Sequence, residues 1–248
     1  MPHNFSIVII CKDAADGIDR TLNSVRGLTD DVVIYDSGST DNSVQVAQSM
    51  GFTVHSGPWF GFGPTRRAAT LLAKHDWVFC IDTDEWVGTF LAEELLQWQP
   101  RAGTMWKVRL RNHLGKRSIR WGSWGNDLRV RLFHRDEANW NDADIHEKVE
   151  PVVPVQIETL RGSIIHRTAA SVADHRRKLE SYARLTAESY RARGKKATLL
   201  RRLLSPIVTF VKDYFLKLGF LEGKVGFQLA VAAAGYTRKK YRFLSGRQ

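Results

Sequence analysis

The chain has 248 residues, 43% of them hydrophobic, and a formal net charge of +11. That length suits one large domain or a domain with an appendage, and that hydrophobic share is enough for a proper core. Its two cysteines, Cys11 and Cys80, both sit in apolar runs, which excludes metal-binding cysteine pairs and fits buried thiols in a reducing compartment. No stretch is long and uncharged enough to span a bilayer, and the opening "MPHNFSIVIICKD" lacks the basic start and long apolar run of a secretory signal. A cytoplasmic protein is expected. The charge is unevenly placed: residues 1–150 hold 17 Lys and Arg against 20 Asp and Glu, a balance of −3, whereas residues 151–248 hold 20 against 6, a balance of +14. A basic block of that kind points to an anionic partner.

In chain order, "FSIVIICK" is a β-branched apolar run that reads as a buried parallel strand. "DGIDRTLNSVRGL" places Ile18, Leu22 and Val25 on one helical face. "DVVIYDSGSTD" is a second strand followed by a Gly/Ser turn, and "DNSVQVAQSMG" a helix with Asp41 as cap and Gly51 as stop. "FTVHS", "TRRAATLLAKH" and "DWVFCID" continue as strand, helix, strand. This alternation predicts an α/β fold with a mainly parallel sheet. After residue 100 apolar and basic residues alternate between glycine turns, as in antiparallel strands with one wet face. From about residue 170 the pattern is helical and basic, interrupted at Pro206, Gly219 and Gly223.

The run "FCIDTDEW" ends an apolar strand in Asp82, Asp84 and Glu85. Three carboxylates in such a place repel one another and lose hydration, so something must offset them. Strand ends of an open parallel sheet are ligand sites. An Asp-x-Asp pair there offers hard oxygen ligands to Mg²⁺ or Mn²⁺, which in turn bind a diphosphate.

The order "SIVIICK…IYDSGSTDNS…FCIDTDE" is more specific than any of its parts. It resembles glycosyltransferase family 2, whose members have a GT-A fold, a Rossmann-like nucleotide-sugar-binding architecture. The likeness continues through "SGPWFGFGPTRRAA", "WGSWGNDLRVRLFH", "DIHEKV" and "GFLEGKVGFQLAVAAAGYTRKKY" in the order of the lipopolysaccharide core β-glucosyltransferase branch, which attaches glucose to an inner-core heptose. Where related sequences often carry Gln-Lys-Asn, this chain has Thr65-Arg66-Arg67, which keeps the cation and loses the amide.

The resemblance implies a GT-A catalytic domain over 1–168, with a nucleotide-sugar half (1–100) and an acceptor half (101–168), and a basic helical appendage over 169–248. It implies Lys12, Asp36, Ser37, Arg66 and Asp82 as contacts to the nucleotide-sugar, with Asp36 accepting from the uracil ring and Arg66 near the diphosphate. Asp82, Asp84 and His146 are the implied metal ligands for Mg²⁺ or Mn²⁺. Inverting transfer is one in-line displacement and needs a carboxylate base. Asp127, between the Trp121 and Trp124 turn and "RVRLF", occupies the family's place for it, with Glu147 as the alternative. Glu85 is read equally as functional or as a cap or ion-pair residue.

The expected activity is metal-dependent transfer of a hexose from a UDP-sugar to a lipid A–core acceptor. A different glycolipid or capsule precursor, or a non-catalytic sugar-nucleotide or lipid binder, is the alternative. No nucleic-acid module is visible in the basic C-terminal block. Its interleaved Tyr and Phe suit peripheral attachment to an anionic membrane, on the inner face of the inner membrane. Packing onto the catalytic domain and homo-oligomerisation are the competing uses of the same helices.

Overall fold

A computed structural model describes residues 4–142 and 147–246. They form two compact units, Met1–Leu110 with Leu128–His166, and Arg111–Asp127 with Arg167–Gln248.

The first unit opens with the alternation expected from the sequence: β1 (Ser6–Cys11), α1 (Ile18–Val25), β2 (Val32–Asp36), α2 (Ser43–Ser49), β3 (Val54–Ser56), α3 (Phe62–Thr70) and β4 (Trp77–Cys80). Then come β5 (Glu85–Val87), α4 (Thr89–Gln97), β6 (Thr104–Leu114), β8 (Asp127–His134), β9 (Ala138–Trp140), β10 (Val149–Pro151) and β11 (Gln156–Ala169). β6 and β11 pass into the second unit after Leu110 and His166. The short β7 (Arg117–Ser118) pairs with β6, and the strand order is β3-β2-β1-β4-β8-β6-β11-β5. β3, β2, β1 and β4 pair in parallel. β8 pairs antiparallel with β4, and β5 antiparallel with β11. The parallel part is therefore the four strands of the N-terminal alternation. β9 and β10 form a separate antiparallel pair.

Both faces of the sheet are covered, which is why β1 and β4 read as continuous apolar runs. One core joins Ile7, Ile9, Ile34 and Phe79 to Ile18, Leu22 and Val25 of α1 and to Leu91 and Leu95 of α4. Within it Trp77, Trp98 and Trp106 meet edge to face with centroids 5.1–5.3 Å apart. The other core holds Val8, Val33, Cys80 and Phe133 against Ala69 of α3 and Trp140 of β9. Cys11 and Cys80 are both free and buried, and burial pushes each thiol up to about 11. α4 and β5 have no clear sequence signal. β5 is three residues long, and α4 alternates buried Leu91 and Leu95 with Phe90 and Leu96, which are 56% and 44% exposed.

The second unit is helical: α5 (Val172–Ala192), α6 (Leu199–Val211) and α7 (Lys224–Leu244), with a π turn over Lys212–Leu216 and a 3₁₀ turn over Gly219–Glu222. Side-chain oxygens of Ser171 and Thr198 cap α5 and α6. α5 and α6 both pack on α7. Pro206 does not stop α6, although its ring nitrogen has no hydrogen to offer the preceding turn. Gly226 is dictated by close approach, because a Cβ there would lie 1.9 Å from the Gly219 carbonyl oxygen.

Two buried acids in this unit hold the Trp-rich turn. Glu222 Oε1 accepts the N–H of Arg120 at 2.7 Å and of Trp121 at 3.2 Å, and Oε2 accepts from Arg117 at 2.8 Å. Asp213 accepts the Ser123 N–H at 2.5 Å, and the Gly122 N–H reaches the Lys217 carbonyl at 2.9 Å. Among the described residues no helix is long and apolar enough to cross a membrane.

His175 packs edge-on to Trp124 at 4.8 Å in this region. Burial, reinforced by Lys178 and opposed by Asp213, pushes its pKa down to about 4. A folded pKa below the ordinary value of about 6.5 means the unfolded chain binds the proton first. The neutral ring's contribution is complete above that ordinary value and is lost as pH falls toward about 4, a change of roughly 3 kcal/mol. Denaturant titrations across this window should show the loss, and His175→Phe should flatten it. An unchanged pH slope in the variant would assign the effect to other groups.

Candidate functional site

Parallel pairing of β1 with β2 and β4 brings the carboxyl ends of these strands to one edge of the sheet. The turns leaving β1 and β2 are laced together there. Asp36 is 4% exposed. Its Oδ2 accepts the N–H of Gly38 at 3.0 Å and of Ser39 at 3.1 Å, and its Oδ1 accepts from the Ser39 hydroxyl. Gly38 sits at φ 92, a backbone region that a side chain disfavours. Ser37 is buried and donates both N–H and Oγ–H to the Cys11 carbonyl, at 3.0 and 3.2 Å. From the other side, Asp13 N–H donates to Ser39 Oγ at 2.9 Å and Ala15 N–H to Asp41 at 2.9 Å. Asp41 also accepts the Ser43 N–H at 2.9 Å, which anchors the start of α2. Lys12 is exposed at the end of β1.

At the end of β4 the loop 82–85 closes on itself. The Glu85 N–H donates to the Asp82 carbonyl and the Asp82 N–H to Glu85 Oε2, each at 3.0 Å. Thr21 of α1 donates to the carbonyls of Thr83 and Glu85. The acids of this loop face two buried arginines. Arg131 of β8 reaches Glu85 Oε1 at 2.5 Å and Asp82 Oδ2 at 3.3 Å. Arg66 of α3 reaches Asp82 Oδ1 at 2.6 Å and Glu147 at 3.4 Å, with its guanidinium 4.8 Å from the Trp140 ring centroid. Arg66 and Arg131 are each 5% exposed and Glu85 only 1%.

Burial alone would raise the Asp82 carboxyl, but Arg66 and Arg131 more than reverse it and hold Asp82 well below the usual carboxylate range. Burial raises Glu85, with Asp82 adding to it and Arg131 opposing. Both guanidiniums remain charged despite burial because of the acids beside them. Arg66 Nε and Arg131 Nε are buried without a hydrogen-bond partner among the described residues, although both side chains are ion-paired. Arg67, by contrast, is a surface residue paired with Asp142.

Asp84 points elsewhere. Its side chain is 39% exposed and its Oδ2 lies 3.4 Å from His166 Nε2 on β11. The pairing of His166 opposite Glu85 in the β5–β11 register brings this ring to the loop. Burial disfavours charge on His166, but Asp84, Glu85 and Asp82 outweigh it and raise its pKa.

Among the described residues no group of three or more His, Cys, Asp or Glu side chains could enclose a metal ion, and Asp82 is turned toward arginines. Mg²⁺ does not require such a cage. It keeps several waters and is commonly held by one or two carboxylates together with substrate phosphates. The accessible carboxylate of Asp84 beside Asp82 fits that mode of binding. It does not fit a metal held by protein ligands alone. His146, the third expected ligand, lies outside the described residues. Asp127 is half-buried, starts β8 and belongs to the second unit, whereas Glu147 is in the first.

The sequence profile described as "Glycosyl transferase family 2" matches residues 6–149, which include β1, both acidic turns, Arg66, Arg131 and Glu147. The chain belongs to glycosyltransferase family 2. This glycosyltransferase is 30% identical over 234 residues to an uncharacterized glycosyltransferase of Rickettsia bellii, covering 90% of this chain and 79% of that one. It is 26% identical over 243 residues to the lipopolysaccharide core biosynthesis glycosyltransferase LpsC of Rhizobium meliloti, covering 93% and 88%. Among solved structures, glucosyl-3-phosphoglycerate synthase of Mycobacterium tuberculosis is similar over 45% of each chain, at 22% identity and a TM-score of 0.36, a likeness that carries no argument about function.

Two residues of the cluster were not singled out in the sequence. Arg131 is one of two arginines in "LRVRLF", and only the requirement that buried acids have a cation would have marked it. His166 is brought in by strand pairing across 81 residues of sequence, as the register His166↔Glu85 shows. Removing Arg131 would leave Glu85 buried without its ion-pair partner. Arg131→Met should therefore destabilise the glycosyltransferase by about 3–5 kcal/mol in urea unfolding. Adding Glu85→Gln to that variant should recover a large part of the loss. No recovery would mean that lost packing, not the stranded charge, carries the cost.

Proposed function

We propose that this glycosyltransferase is an inverting, metal-assisted hexosyltransferase that moves glucose from UDP-glucose to an inner-core heptose of lipopolysaccharide. The observation that carries the reading is the cluster at the carboxyl edge of the parallel strands, where Arg66 and Arg131 meet Asp82, Glu85 and Glu147 beside the Asp36 turn. The acceptor class is supported by the likeness to a relative named for lipopolysaccharide core biosynthesis. The cytoplasmic face of the inner membrane is where such an acceptor would be met.

Lys12, Asp36 and Ser37 take the nucleoside side of the donor. Asp36 is held rigid by the N–H groups it accepts, so it needs no reordering when a base arrives. Asp82 faces the ribose, and Arg66 supplies a guanidinium whose fork geometry suits diphosphate oxygens. Asp84 with Asp82, and His146, would hold Mg²⁺ or Mn²⁺, whose charge when bound stabilises the departing diphosphate. Asp127 takes the proton of the acceptor hydroxyl. The new C–O bond forms at the anomeric carbon as the bond to the diphosphate breaks, and the configuration inverts. Trp121 and Trp124 exclude water from the acceptor sugar.

Asp84→Ala should remove most of the metal-dependent UDP affinity while leaving thermal stability near that of the parent. Calorimetric titration of UDP with Mg²⁺ and with Mn²⁺ reads this directly, and unchanged affinity would exclude Asp84 from metal binding. Asp127→Asn should retain UDP-sugar binding and lower turnover by roughly 10²–10⁴-fold, the usual worth of a general base. Turnover within a few-fold of the parent would transfer the role to Glu147.

A further inference from the structure

α6 is amphipathic in the opposite sense to a helix of a water-soluble core. None of its residues is buried. Leu200, Leu203, Leu204, Ile207, Val208 and Val211 are 40–67% exposed. Its less exposed positions include Ser205 and Thr209, and Thr209 Oγ1 meets Thr237 Oγ1 of α7 at 3.2 Å. The apolar stripe continues into Phe215 and Leu216, 53% and 74% exposed. Apolar surface left in water costs about 25 cal/mol per Å², so a stripe of this length implies a partner.

The charges around it identify the partner. From Arg191 to Lys224 there are nine Lys and Arg against two acids, Asp213 and Glu222. Both acids are buried and accept backbone N–H groups of the Trp-rich turn. The exposed charge of this segment is therefore entirely positive. A second copy of the same face would bring like charges together, whereas an anionic lipid surface complements both the cations and the leucines. α6 has 13 residues and spans about 20 Å, too short to cross a hydrocarbon core of about 30 Å and suited to lying in its boundary.

A cleft of ≈570 Å³ runs beside α6. Leu204 and Val208 line it together with Arg201, Lys212, Lys217 and Lys240. Its wall includes Ser123 of the Trp-rich turn, whose hydroxyl accepts from Lys217 Nζ at 3.2 Å. The same cleft thus offers methyl groups for acyl chains and cations for phosphate.

We infer that α6 and this cleft form a docking site for the phosphate-bearing surface of an anionic lipid layer, with the leucine stripe among the acyl chains and Arg201, Lys212, Lys217 and Lys240 on the phosphates. The inference deepens the glycolipid-acceptor reading above and rests on it only for which lipid is glycosylated.

The test is vesicle co-sedimentation of the full chain, with phosphatidylcholine alone and with a third of phosphatidylglycerol added, across a salt series. Binding should be about tenfold or more stronger with the anionic lipid and should weaken with salt. Ile207→Glu places a charge on an exposed position, so the helix content by circular dichroism should be kept while vesicle binding falls about tenfold or more. Arg201→Glu and Lys212→Glu should each lower it about fivefold or more. Equal binding to both lipids, or to neither, overturns the inference. So does displacement by millimolar inorganic phosphate at constant ionic strength, which would make the cleft a small-anion site. A lipid-free dimer in sedimentation velocity that Ile207→Glu dissociates would assign the face to a second copy instead. UDP titration of the same proteins separates the two readings, because lost UDP binding with intact vesicle binding removes the transferase reading and leaves the docking site standing.

Discussion

The first unit depends on compensating carboxylates at the end of a buried strand. Asp82 follows β4 and is partly exposed, whereas Glu85 begins β5 fully buried, where an unpaired ion would cost several kcal/mol. Arg66 from α3 and Arg131 from β8 meet that requirement. Three elements far apart in sequence must therefore be in place before the loop 82–85 is stable. The loop also ties into α1 through the Thr21 hydroxyl. The same ion pairs therefore fix both the loop and the arrangement of the site.

Arginine donors that hold Asp82 and Glu147 in the protein alone have the geometry to take diphosphate oxygens. The buried Nε atoms of both arginines lack hydrogen-bond partners among the described residues, so the cluster is saturated in charge but not in hydrogen bonds. The Asp36 turn on the neighbouring strand is the opposite case, with its carboxylate engaged by two N–H groups and a hydroxyl.

Small residues make up much of what the second unit buries. Ala183 and Ala187 of α5 and Ala230 and Ala232 of α7 are buried, and Gly226 meets the Gly219 carbonyl. Leucines are left on the outside of α6. Asp213 and Glu222 spend their charge on the N–H groups of the Trp-rich turn, which explains why "FVKDYF" and "GFLEGKVGF" carry the acids of an otherwise basic segment. The turn they hold leads directly into Asp127.

The sequence by itself determined the βα alternation, the parallel pairing of its first strands, the acidic turns after β2 and β4, and the membership in a glycosyltransferase family. These are local: β-branched runs, helical spacing and Gly/Ser turns act within about ten residues. The basic character of the C-terminal part was legible for the same reason, since charge is additive along a chain. Tertiary structure alone decided that two arginines offset Asp82 and Glu85, that Asp84 faces His166, and that Asp36 closes its own turn. Which of Arg66 and Arg67 is buried depends on how α3 rotates against the sheet. Which of Arg129 and Arg131 meets the acids depends on the register of β8. The outward apolar face of α6 was also invisible in its pattern, because a stripe of leucines records that a helix has two faces but not which of them its neighbours cover.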